Sequence, residues 1–101
     1  MQLFNLKDHN EAVSFSEAVV KGIGHNQGLF FPDKIEPLDN IDELLDTPLV
    51  PRSQKILRHL IGDEVPQLES IVADAFNFEA PIKEADKDIY ALELLHGPTL
   101  A

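Results

Sequence analysis

Cysteine and tryptophan are both missing from this chain of 101 residues. Without cysteine there is no disulfide framework and no thiolate metal site, which removes the small stapled secreted scaffolds and suits a cytoplasmic setting. With no tryptophan and a single tyrosine, the aromatic platforms that stack single-stranded nucleic acid are not available either. Basic residues are scarce: 8 Lys and Arg stand against 18 Asp and Glu, a net charge of −10. Such a balance repels nucleic acid and anionic lipid alike, so neither is expected as a partner. No apolar run approaches the ~18–20 residues of a membrane-crossing helix, and no basic-then-apolar leader opens the chain. Repeats and low-complexity stretches are also absent.

What is present is a 44% hydrophobic chain, enough for one modest core. A chain of this length buries only about 60–70% of its unfolded surface. Residues 1–6 alternate and predict a short opening strand. Ser14 followed by Glu17 is a capping-box pair that opens a first helix, with Phe15, Ala18 and Val19 on one face and Gly22 as its stop. Gly22, Gly24, Asn26 and Gly28 make a turn, after which Leu29, Phe30 and Phe31 predict a strand closed by Pro32. A phosphate-binding glycine loop needs the opposite order, strand before glycines and helix after, so this cluster reads as a turn.

Residues 33–38 read as loop. Asn40 with Glu43 predicts a short second helix holding Ile41, Leu44 and Leu45. A third spans about residues 52–61, with Ile56, Leu57, Leu60 and Ile61 as its buried stripe and Gly62 as its end. Pro66 sits where a fourth helix should start, and Leu68, Ile71, Val72, Ala75 and Phe76 give it a continuous apolar face. Residues 82–88 are a charged connector or edge hairpin. Residues 89–95 predict a last strand, apolar enough to be buried on both faces. The fold class is therefore α/β or α+β, about four helices with short strands at both ends. An orphan strand of that kind implies a sheet completed by further chain.

That strand runs into His96, Gly97, Pro98, Thr99, Leu100 and Ala101. Gly97 lets backbone approach a ligand closely, Pro98 fixes the path, and Thr99 offers a hydroxyl and an amide to an anion. Taken alone, the turn is more often a strand end with Thr99 as a helix cap. His96 is open between a proton-transfer or cofactor-facing group and a satisfied structural histidine.

The segment Glu93-Leu94-Leu95-His96-Gly97-Pro98-Thr99-Leu100-Ala101 resembles the stretch that immediately precedes the cofactor lysine of threonine synthases. Leu3-Phe4-Asn5-Leu6-Lys7-Asp8 resembles that family's opening strand. Ser14 to Val19 and the run Gly28-Leu29-Phe30-Phe31-Pro32 resemble its first helix and following strand, and Arg52 to Leu57 with Ile61 to Pro66 fit its middle helices. The resemblance implies an incomplete part of a tryptophan-synthase-β-like fold: residues 1–81 as the N-terminal domain, residues 82–101 as connector and strand leading into a pyridoxal 5'-phosphate-dependent catalytic domain. It implies conversion of O-phosphohomoserine and water to threonine and phosphate by the whole enzyme. His96, Gly97, Pro98 and Thr99 would line the cofactor and substrate pocket, the lysine that holds the cofactor as a Schiff base would fall two residues past Ala101, and no catalytic residue would lie in this chain. The 101 residues alone would then be inactive, with the remaining chain of the same enzyme as their partner. Two alternatives are a stand-alone acidic interaction domain, docking its last strand onto a partner sheet, and a threonine-synthase-like phospho-lyase.

Other chemistry is thinly supported. His9, His25, His59 and His96 are too scattered for a zinc motif, so no metal is expected. Asp39, Asp42, Glu43 and Asp46, like Asp63 and Glu64, read as solvated acidic surface. Arg52, Lys55 and Arg58 form the one basic knot, better suited to salt bridges with that surface than to an anionic substrate.

Overall fold

In a computed structural model, which describes residues 1–97, the chain folds as a mixture of short strands and four helices. Strand β1 (Gln2–Asn5) lies in the middle of a three-stranded antiparallel sheet, flanked by β2 (Asp8–Ser14) and β3 (Phe30–Pro32). Its register pairs Leu3 with Val13 and with Pro32, and Phe4 with Ala12 and with Phe31. An irregularity between Phe4 and Asn5 shifts the β1–β2 ladder. Strand β2 is not foreseen by sequence. Asp8, His9, Asn10 and Glu11 give no alternating apolar signal, and pairing with β1 makes the strand regardless.

Helix α1 (Phe15–Lys21) starts with the expected capping box: the Ser14 hydroxyl accepts from the Glu17 amide at 3.1 Å, and the Ser14 amide donates to the Glu17 carboxylate at 2.8 Å. Its buried face is narrower than expected, because Ala18 is buried but Val19 is 64% exposed. Gly22 ends it with φ +72°, a conformation that favours glycine. Helix α2 (Ile41–Leu45) forms where Asn40 and Glu43 place it, but Asn40 makes no side-chain cap. Its φ and ψ of −122° and 43° lack the extended geometry that aims a cap side chain at the helix amides.

Helix α3 (Leu49–Ile61) begins three residues before the expected start. Pro51 is accommodated because it lies in the first turn, where its missing amide is not needed; the Arg52 amide donates to Pro48 O at 2.9 Å. Helix α4 (Leu68–Ala75) starts two residues after Pro66, because residues 65–68 form a turn in which the Leu68 amide donates to Val65 O at 3.2 Å. The core is the meeting of these two helices: Ile61, Leu68 and Val72 are buried, with Phe15, Leu57, Val65 and Phe76 packed around them. Ile71, expected on the buried face, is 52% exposed.

Strands β4 (Ile82–Asp86) and β5 (Ile89–Leu92) form an antiparallel hairpin that pairs Ile82 with Leu92 and Glu84 with Tyr90. This resolves the connector-or-hairpin alternative in favour of the hairpin. The last strand is shorter than expected and is not buried: every residue of both strands is exposed. Among the described residues no layer covers either face, so the apolar run that suggests burial has nothing here to pack against.

Candidate functional site

Beyond β5 the chain stays tied to the segment that enters the hairpin. The Glu93 amide donates to Pro81 O at 2.9 Å. His96 is exposed and Gly97 is half-buried. A Cβ added to Gly97 would stand 2.9 Å from Cζ of the Phe78 ring and 3.1 and 3.2 Å from Cε1 and Cε2, so the glycine backbone is pressed against the ring's end. Pro98 and Thr99, the rest of the expected pocket lining, lie outside the described residues. The place where a Gly97 side chain would stand is filled by Phe78, and the neighbouring His96 imidazole is left exposed.

A second polar assembly is not legible from sequence. Asn5, at the end of the central strand, is 0% exposed. Its amide nitrogen donates to a Glu11 carboxylate oxygen at 2.6 Å and to His25 O at 2.9 Å, and its oxygen accepts from the Lys7 amide at 2.8 Å. Glu11 also accepts from Lys21 Nζ at 2.5 Å and from the His25 amide at 2.8 Å. The Lys21 ammonium, then Asn5 and the His25 amide, stabilise the ionised form and lower the Glu11 pKa to about 2. A carboxylate held that firmly ionised is no proton donor near neutral pH; it is an anchor. What it anchors is the turn of residues 25–28, where Asn26 and Gln27 carry φ of 56° and 61°. Gly24 and Gly28 are required by contact: a Cβ on Gly24 would meet Asn5 Nδ2 at 2.6 Å and Glu11 Oε2 at 2.7 Å, and one on Gly28 would overlap the Asn5 amide. The glycine spacing in the sequence is thus the trace of a buried asparagine.

The three residues of the basic knot are engaged. Arg58 forms a fork on Glu69, with contacts of 2.9 and 2.6 Å, and also donates to Gly62 O and Val65 O. Lys55 Nζ lies 2.9 Å from Glu43, and both Glu43 and Glu69 titrate below the usual range because of these partners. Arg52 departs from the expected salt bridge: it donates instead to Leu45 O and Thr47 O at the end of α2. Lys55, Arg58 and His59 line an open cleft of about 680 Å³, yet both of its cations already hold carboxylates and offer an anion little.

Glu64 departs from the expected solvated surface. It accepts from the Ser16 and Phe15 amides at 3.0 and 3.1 Å, which lowers its pKa, and so caps α1 from the loop after α3. His9 stacks on Phe4 with ring centres 4.6 Å apart, and His59 Nε2 lies 2.7 Å from Glu36 O. His25 Nδ1 stands 3.7 Å from Asp8 and 3.6 Å from Glu11, but among the described residues no group of three His, Asp or Glu could hold a metal ion. No helix among them is long and apolar enough to cross a membrane.

Comparison with known proteins agrees with this architecture. The sequence model of a family described as "Threonine synthase N terminus" matches residues 4–76. Threonine synthase of Haemophilus influenzae is 56% identical over 103 residues, covering 100% of this chain and 24% of that protein. Threonine synthase of Escherichia coli is 55% identical over 105 residues with the same coverage. The crystal structure of the Escherichia coli enzyme superposes with a TM-score of 0.86, covering 100% of this chain and 24% of that one. The chain therefore spans about a quarter of the length of the curated relatives it matches.

Proposed function

This chain belongs to the threonine synthase N-terminal family, and from that membership we propose that it is the N-terminal part of an enzyme converting O-phosphohomoserine and water to threonine and phosphate. The observation that carries the reading is an overall identity of 55–56% to threonine synthases in comparisons that cover 100% of the chain. That level of identity to proteins of this name favours the synthase over a related phospho-lyase.

Residues 1–81 form a supporting domain, and residues 82–101 lead into the catalytic domain. Pyridoxal phosphate, when bound, supplies the electron sink for elimination of phosphate and addition of water. The residues of this chain supply placement. His96, Gly97, Pro98 and Thr99 line one wall of the pocket. The exposed apolar residues of the hairpin, Ile82, Tyr90 and Leu92 among them, are covered in the whole enzyme; an uncovered two-stranded ladder is marginal alone. The lysine that carries the cofactor falls two residues past Ala101 in the family pattern, so residues 1–101 by themselves turn over no substrate. The enzyme works in the cytoplasm, in keeping with a chain that has no cysteine.

The test uses the full-length enzyme and the 101-residue chain side by side. Borohydride reduction and peptide mapping should fix the cofactor on a lysine just beyond Ala101. The full enzyme should form threonine from O-phosphohomoserine while the 101 residues form none. Cofactor fixed on a lysine elsewhere, or no threonine from the full enzyme, would sink the reading.

A further inference from the structure

We propose that Phe78 is a positioning residue, which holds Gly97 and the adjoining His96 at a fixed place relative to the helical core. The proposal rests on the proposed function, in which those two residues line the cofactor pocket. Three observations meet at Phe78. The end of its ring occupies the space where a Gly97 side chain would begin, 2.9 Å from Cζ. Its ring centre lies 6.0 Å from that of Phe76 at a tilt of 32°, within the range of favourable aromatic pairs. Phe76 in turn packs on Ile61, Leu68 and Val72, the buried centre of the molecule.

A continuous line of packed groups therefore runs from the α3–α4 core through Phe76 and Phe78 to the Gly97 backbone. Beside it, the bond from the Glu93 amide to Pro81 O fixes the same two segments a few residues away. The hairpin between them is exposed throughout and does little to orient residues 93–97. Groups that contact a cofactor must be held to a fraction of an ångström, and misplacement by ~1 Å costs about a hundredfold in rate. Phe78 transmits the rigidity of the core to the place that needs it. Gly97 is then required because any side chain there would push its backbone away from the ring.

The experiment compares full-length wild type with Phe78→Ala, Phe78→Leu, Gly97→Ala and the double variant Phe78→Ala/Gly97→Ala. Three quantities are read: amide exchange of residues 93–97 in the apoenzyme, affinity of the apoenzyme for pyridoxal phosphate, and kcat against KM. In Phe78→Ala the exchange should accelerate about tenfold at residues 93–97 and stay within about twofold in α3 and α4. Cofactor affinity should fall roughly tenfold, with kcat reduced more than KM is raised. Phe78→Leu, which keeps a bulky apolar tip, should recover most of the loss. Gly97→Ala should resemble Phe78→Ala, and the double variant should be better than Gly97→Ala alone, because the clash is gone. Wild-type exchange and cofactor affinity in Phe78→Ala overturn the proposal, as does faster exchange spread equally over α3 and α4, which marks a residue of general stability. Should Phe78→Ala not fold, Gly97→Ala decides: unchanged cofactor affinity in that variant is equally fatal. If borohydride fixes no cofactor in wild type, the functional reading fails, while the exchange comparison still decides whether Phe78 holds Gly97.

Discussion

Replacing Gly28 by alanine sets two ordinary effects against each other. The Gly28 backbone has φ −79° and ψ 138°, angles any residue adopts, so alanine carries no conformational penalty there. With nothing else nearby, the substitution would stabilise the fold by about 0.4–1 kcal/mol, because alanine restricts the unfolded chain. The surroundings reverse the sign. The new Cβ would overlap the Asn5 amide, with Cγ at 2.5 Å and Nδ2 at 2.9 Å, and Asn5 is fully buried among partners. Either the sheet end shifts, at about 1–3 kcal/mol for overpacking, or Asn5 rotates and gives up buried hydrogen bonds at roughly 1 kcal/mol each. The expected net loss is about 0.5–2.5 kcal/mol, which moves a urea midpoint of the full-length protein's first transition down by roughly 0.3–1 M. Asn5→Ala should also destabilise, yet the double variant should cost at least ~1 kcal/mol less than the sum, because the clash partner is gone. Urea melts of the four proteins measure this directly. A Gly28→Ala variant as stable as wild type, or a strictly additive pair, would refute the steric reasoning.

Two other outcomes are expected from the same structure. Because the folded-state pKa of Glu11 is lowered from 4.5 to about 2, its contribution is fully present above pH 4.5 and is lost as pH falls towards 2. Thermal melts across that window should show a wild-type decline that is flatter in Glu11→Gln; parallel curves would show that the Lys21 and Asn5 contacts do not form. Leu68→Ala should cost about 2–5 kcal/mol, whereas Ile71→Ala, on the same helix but half exposed, should stay within about 0.5 kcal/mol. Equal losses at the two positions in denaturant melts would mean that α4 presents a different face to α3.

What could be read from the sequence was local. Ser14 and Glu17 recognise each other across one helical turn, and the spacing of Leu68 and Val72 marks a buried face within a single helix. Gly22, Gly24 and Gly28 are visible as a turn because glycine punctuates any sequence. The reason for Gly24 and Gly28 is not visible, since it lies in an asparagine about twenty residues earlier whose partners come from β2 and the turn itself. Glu64 looks like any surface carboxylate until α1 arrives at it, and β2 becomes a strand only because β1 offers it a ladder. The run of residues 89–95 has the composition of a covered strand, and composition says nothing of which chain does the covering. Of the candidate site, the strand end and turn were recognisable through family resemblance, whereas the contact between Phe78 and Gly97 depends on how the hairpin folds back.

The Glu64 carboxylate also bears on how the protein assembles. It joins the first amides of α1 to a loop 48 and 49 positions further along the chain. Such a contact forms only after the sheet and the α3–α4 pair have met, so the loop-closure entropy of that long segment is lost before the cap can repay it. Once made, it joins the packing of Phe15 in tying α1 to the α3–α4 pair, and amides of α1 should open only in events that also release the loop after α3. The hairpin of β4 and β5 lies outside that closure.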